Sequence, residues 1–364
     1  MMKQGESESQ PMNPPSLPNR PTLADLARAA GVSRMTVSRA LRGHLETSSE
    51  TRDRIRALAD AMGYRPNPLV SAWMRSVSSG RRSSHRPILG WVSGYLDDAM
   101  RQGMVTRSAL FRSACERAEE LGFRMEAFPL FYGGMSPARL SAVLATRACP
   151  GLVIPPLAEP VDKLDFDWSS FSVITLGHSL RKPEFNRVIR NHAMGMVAAL
   201  DGLMDAGIPK TGLVLKRISD ERTNHSWTEA YLGYAWHHAK MEALPILVPA
   251  RLERPDFLRW YRRHRPGAII GADQEILDWM DSEARRTAGR RCVFVHLDGD
   301  VATDPRIFGV VTGEPLRVAK AAVEMLVSQI NHNERGVPDA PVQVLIPCRF
   351  ERRAAEAGIG LGLG

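Results

Sequence analysis

Residues 22–43 read TLADLARAAGVSRMTVSRALRG, and their spacing decides how the first part of the chain folds. Thr22-Leu23-Ala24-Asp25 has the form of a capping box, with a hydroxyl to accept backbone N–H bonds and a carboxylate at the positive end of a helix. Leu23, Leu26, Ala27 and Ala30 then recur at helical spacing, and Gly31 supplies the backbone freedom of a tight turn. Ser33 is placed to cap a second helix over 34–41. Its Val37, Ala40 and Leu41 share one face, while Arg34, Met35, Ser38 and Arg39 occupy the other. Residues 47–50 repeat the capping box, and Ile55, Leu58, Ala59 and Met62 mark a third amphipathic helix that Gly63 ends. Three short helices with a glycine turn between the first two describe a helix-turn-helix.

Charge points the same way. The 364 residues carry a net charge of +8. Between Arg20 and Arg86 stand thirteen arginines against five carboxylates, so this stretch accounts for the whole excess. A basic module joined to a neutral one fits a polyanion binder with a second domain, although a solvated basic face would look alike on charge alone. A helix entering the major groove N-terminus first puts Arg34, Met35 and Arg39 against base edges, where arginine pairs with guanine O6 and N7. The short hydroxyls of Ser33, Thr36 and Ser38, with Thr22, Arg42 and Asn67, suit the DNA backbone.

After the third helix, Tyr64-Arg65-Pro66-Asn67-Pro68 is extended by its prolines, and 69–75 reads as a short helix. Leu69, Val70, Trp73 and Met74 make it too apolar to stand alone in water, so it needs a partner. Residues 76–84 read as a flexible basic linker. With these residues in view, 21–74 resembles the DNA-binding headpiece of lactose- and galactose-repressor-type regulators. The resemblance implies that Arg34, Met35 and Arg39 read bases and that 69–75 is a hinge helix ordered on DNA. It further implies that two hinge helices meet in the minor groove, where Trp73 stands at the position of the family's leucine wedge; an indole is larger than leucine, so either the bend differs or Met74 shares the task. Arg42 replaces the family's usual asparagine at the end of the recognition helix.

From residue 87 onward, apolar runs at 88–92, 151–154, 173–176, 213–215, 268–270, 292–297 and 307–311 alternate with helical patterns. Those patterns fall at 110–121, 193–206, 228–243, 274–285 and 316–331. The alternation predicts parallel sheets covered by helices, with too many units for one small sheet and hence two lobes. Ligands in such folds bind outside the C-terminal strand ends, here between the lobes. An aspartate at a strand end forks onto ligand hydroxyls or a cation, and Tyr95 or Trp227 offers an aromatic face. A turn role for Asp298 and a core role for Trp227 are equally open at this point. This half also resembles the same family's periplasmic-binding-protein-like module, in LFRSACERAEELGF, VAALDGLMDAGIPKTGLVL, CVFVHLDGD and RVAKAAVEMLVSQINHNERGVP. By position, the resemblance implies that Asn191, Asp298 and either Arg222 or Trp227 contact an effector, with Gly313-Glu314 in place of a common glutamine-aspartate pair.

The expected architecture is thus an all-α helix-turn-helix headpiece plus an α/β two-lobed periplasmic-binding-protein-like domain. The boundaries are a disordered tail over 1–20, the DNA-binding domain over 21–64, hinge helix and linker over 65–86, the effector and dimerisation domain over 87–355, and a mobile tail over 356–364. Gly177-His178-Ser179 lacks the second glycine of a nucleophile elbow and no Walker loop appears, so no catalytic residue is expected. Cys115, Cys149, Cys292 and Cys348 stand too far apart for a zinc motif or a disulfide framework. His237 and His238 point different ways on a helix, so no metal or other cofactor is expected. Residues 1–20 hold no secretory apolar stretch, and mean hydropathy is -0.22, which points to a cytoplasmic protein without a membrane partner. The expected function is a DNA-binding regulator, a homodimer since no leucine-rich heptad follows Phe350, that binds double-stranded operator DNA and a small-molecule effector. The alternative is a solute-binding protein for transport, which the large module alone could serve.

Overall fold

The computed structural model describes residues 23–41, 49–62, 86–94, 108–130, 134–287, 292–299 and 304–353. They form a small helical unit and a large α/β unit.

In the small unit, α1 (Leu23–Ala30), α2 (Arg34–Leu41) and α3 (Ser49–Ala61) follow the predicted periodicity. Gly31, at φ 66°, makes the left-handed turn between the first two, where a side chain would be strained. Ser33 Oγ accepts the Thr36 amide at 3.1 Å and so caps α2 as expected. Leu26, Ala27, Val37, Ala40, Ile55 and Ala59 are buried together, with Ala30, Val32, Leu41, Leu58 and Met62 packed around them. Each fully buried Leu, Val or Ile contributes about 1.5–3 kcal/mol, enough to hold helices that would not survive alone in water.

The large unit has two lobes, each built on a six-stranded sheet. The first sheet contains β1 (Ile88–Ser93), β2 (Arg124–Pro129), β3 (Gly151–Ile154), β5 (Ser172–Leu176), β7 (Asn186–Arg190) and β13 (Gln343–Ile346), in the order β13-β7-β5-β3-β1-β2, all parallel. The second contains β8 (Lys210–Val214), β9 (Glu242–Ala243), β10 (Ala268–Gly271), β11 (Val293–His296), β12 (Gly309–Thr312) and β14 (Arg349–Arg352). Their order is β14-β12-β11-β10-β8-β9, with only β14 antiparallel. A side pair joins β4 (Val161–Lys163) to β6 (Leu180–Lys182). Buried apolar strands flanked by helices are what parallel sheets demand, because both faces need cover.

In the first lobe, α4 (Ala109–Glu120) and α5 (Pro137–Thr146) have serine N-caps, Ser108 and Ser136. In the second lobe, α6 (His192–Asp205) packs on β12, β14 and α8 (Ser226–His237), with the short α7 (Arg217–Arg222) just before α8. The helices α9 (Arg254–His264) and α10 (Glu275–Thr287) flank the same sheet. The chain leaves the first sheet after β7, returns after β12 through α11 (Pro315–Asn331), which packs against β3, β5, β7 and α4, and crosses again between β13 and β14. These crossings bring the C-terminal ends of the two sheets to one junction.

One predicted helix is shorter than its pattern suggested. The stretch 228–243 was expected to be helical throughout, but α8 stops at His237, and Glu242–Ala243 pairs in parallel with Lys210–Thr211. Met241 turns into the second-lobe core, so burial and the free edge of β8 prevail over helical periodicity.

Candidate functional site

The residues read as DNA contacts divide into three groups. Arg34, Met35, Ser38 and Arg39 lie on α2. Ser33 and Thr36 are at its start, where Thr36 Oγ1 also lies 2.8 Å from Ser33 Oγ. Thr22, Arg42, Asn67, Trp73 and Met74 lie outside the described residues, as does Tyr95 of the effector set. What the small unit shows is the support behind α2: its buried Val37 and Ala40 fix the helix against α1 and α3.

The junction of the lobes is richer in detail. Asn191 follows β7 and caps α6, its Oδ1 accepting the Met194 amide at 3.0 Å. Trp227 is buried in the second-lobe core, 7% exposed, its ring centroid 5.1 Å from that of His192 in an edge-to-face arrangement. Its packing is therefore that of a core residue whose rim reaches the junction. Arg222 ends α7, and its Nε is buried with no hydrogen-bond partner among the described residues. Asp298 follows β11, its amide donating to His296 Nδ1 at 3.0 Å. Its carboxylate accepts Arg190 Nη1 at 3.0 Å, an ion pair that ties the end of β7 in one lobe to the end of β11 in the other.

Around this pair the charges are unusual. Burial, with the neighbouring Arg190, pushes the His192 imidazole down to about 4. Burial and Arg187 push His178, at the end of β5, down to about 4 as well. Burial likewise lowers His296. These rings are neutral at ordinary pH. At the ends of β8 and β10, burial opposes the charge of Lys216, but bonds to Asp273 at 2.6 Å and Glu275 at 3.0 Å more than restore it. Asp220, buried under α8, is held by His225 at 2.8 Å. Asn191, His192, Trp227, Arg190 and Asp298 are thus linked into one constellation at the strand ends, with guanidinium, imidazole and carboxylate groups able to bind a polar solute.

Residues 22–67 match the family described as bacterial regulatory proteins, lacI family. The match covers the small helical unit and none of the α/β unit. The HTH-type transcriptional regulator AscG of Escherichia coli (strain K12) is 29% identical over 188 residues, which cover 51% of this chain and 52% of that protein. The match therefore spans about half the length of that curated relative. Among solved structures, a similar fold is found in the transcriptional regulator CelR–cellobiose complex, at 17% identity and a TM-score of 0.53, covering 92% of this chain and 100% of that one. It recurs also in the lac repressor dimer bound to operator and the anti-inducer ONPF, at 17% identity and 0.52, covering 92% and 98%. At such identities the likeness establishes the fold: a helix-turn-helix headpiece with a periplasmic-binding-protein-like α/β module.

The resemblance singled out Asn191 and Asp298 as effector contacts, but sequence reasoning missed Arg190, His192 and His178. The signal was present in Asn186-Arg187-Val188-Ile189-Arg190, where two arginines bracket a strand too short to stand out as an apolar run. Among the described residues no group of His, Cys, Asp and Glu is arranged to hold a metal ion. Nor is any helix among them long and apolar enough to cross a membrane.

Proposed function

We propose that the chain is a sequence-specific transcriptional regulator, a repressor that binds double-stranded operator DNA as a cytoplasmic homodimer and whose operator affinity is modulated by a small metabolite bound between the two lobes. The observation that carries the reading is the match of 22–67 to lacI-family regulatory proteins, on a stretch whose α1, α2 and α3 build a helix-turn-helix. A transport protein would have no use for that module. In this reading the DNA-binding domain spans 21–64 and the hinge and linker 65–86. The effector and dimerisation domain spans 87–355, and the tails are 1–20 and 356–364. Arg34, Met35 and Arg39 read bases; Thr22, Ser33, Thr36, Ser38, Arg42 and Asn67 hold the DNA backbone; Trp73 and Met74 wedge the minor groove. Tyr95, Asn191, Arg222, Trp227 and Asp298 line the effector site. The chain is not an enzyme and needs no cofactor.

Operators selected from random duplexes, followed by binding at fixed salt, test this. Arg39→Ala is expected to cost about 1–3 kcal/mol on the selected operator and far less on a scrambled duplex. Equal loss on both would make Arg39 a phosphate contact and refute base readout.

A further inference from the structure

Strands β5 and β7 run side by side with Thr175 opposite Arg187. Cross-strand partners share a face of a sheet, so this hydroxyl and this guanidinium stem leave it together. Thr175 Oγ1 is buried and has no hydrogen-bond partner among the described residues. Arg187 is 5% exposed and donates from Nη1 to the Gly177 carbonyl oxygen at 3.2 Å and to His178 Nδ1 at 2.9 Å. Both partners are neutral, since burial and the guanidinium keep His178 uncharged. Glu184 acts on the Arg187 charge from a distance, but among the described residues Arg187 makes no ion pair.

A buried cation without a counter-ion is costly, and folds that keep one supply the missing charge from elsewhere. The planar fork of arginine matches the paired oxygens of a carboxylate or phosphate. With its Nδ1 accepting from Arg187, His178 carries its proton on Nε2, a further donor. His178 follows β5, and the neighbouring β7 ends at Arg190, so the group stands at the strand ends that meet the lobe junction. The Asp298 carboxylate, which a neutral polyol would need for its hydroxyls, is engaged by Arg190.

We propose that Arg187, His178 and Thr175 form a binding site for a carboxylate or phosphate group, and that the effector of this chain is an anionic metabolite bearing it. The second clause rests on the regulator reading above; the first does not. Thermal unfolding of the full chain in phosphate, acetate or chloride at equal ionic strength tests the site. Phosphate or acetate is expected to raise the melting temperature above that in chloride, because a ligand that binds only the folded state stabilises it, and the larger rise identifies the preferred group. Arg187→Met is expected to melt no lower than the parent in chloride, since an uncompensated charge is gone, and to lose the anion-dependent rise. A parent that shows no rise, or an Arg187→Met variant that keeps it, overturns the site.

If Arg187→Met does not fold, Thr175→Val, nearly isosteric, must weaken the anion severalfold while leaving the melting temperature in chloride unchanged; unaltered affinity overturns the site equally. Operator binding measured by fluorescence anisotropy separates the two clauses. An anion that stabilises the parent and leaves operator affinity unchanged retains the site and refutes its role for the effector. A chain that binds the anion and no DNA refutes the regulator reading alone.

Discussion

Replacing Gly313 with alanine places a methyl group at the point where two of the lobe crossings touch. Gly313 lies between β12 and α11, and an added Cβ would stand 2.3 Å from Arg190 Cδ and 2.8 Å from its Nε. Carbon atoms in contact sit about 3.5–4.0 Å apart, so the arginine stem must move by about 1 Å or more. Its guanidinium then loses the 3.0 Å bond to Asp298. The two side chains are 23% and 37% exposed, so their ion pair contributes no more than about 1 kcal/mol after solvent screening. Forcing atoms into a filled space costs about 1–3 kcal/mol, and a flexible, partly hydrated stem yields at the lower end. The expected destabilisation is therefore about 1–2 kcal/mol. Urea unfolding of Gly313→Ala, Arg190→Ala and the double variant measures it. With the stem gone, Gly313→Ala should be neutral within about 0.5 kcal/mol. An equal cost in both backgrounds would show that the crossover backbone itself rejects the methyl group, and the account of Arg190 as the clashing partner would fail.

Two other outcomes follow from charge. His178 and His192 take up a proton near pH 4 in the folded chain but near pH 6.5 when unfolded. The folded state thus binds fewer protons between these values, so stability is complete above about pH 6.5 and falls toward pH 4 by up to about 1.4 kcal/mol per pH unit for each histidine. Urea midpoints at stepped pH read this, His192→Gln should flatten the slope, and a level profile through that window would contradict it. Glu283 on α10 is 3% exposed, and its carboxylate is held down to about 2 by Arg262 and Arg286, which bond it at 2.7–3.1 Å. Glu283→Ala should cost about 2 kcal/mol in chemical denaturation, less than a fully buried pair because both arginines can turn to water, whereas Arg286→Ala alone should cost less than half of that.

The parts of this molecule that were legible in the sequence are those whose cause is local. The faces of α1, α2 and α3 repeat every three to four residues, and the apolar runs behind β1, β3, β5, β8, β10, β11 and β12 are long enough to stand out. Strands such as β13 and β14, with burial alternating or absent, carry half that signal and went unread. The small β7 was missed because its buried apolar run is only Val188-Ile189 between Arg187 and Arg190, and with it went the charge at the lobe junction.

Sequence alone determined that a basic helix-turn-helix precedes an α/β module, because helical and strand periods are fixed by backbone geometry within a few residues. Only the tertiary structure decided that Arg190 meets Asp298, 108 positions away. It also decided that Thr175 and Arg187 stand opposite one another, and that Trp227 joins the core. Those pairings depend on the order of strands within each sheet and on where the chain crosses between lobes. Both are settled by which apolar faces bury against each other over long sequence separations, and no local pattern records them.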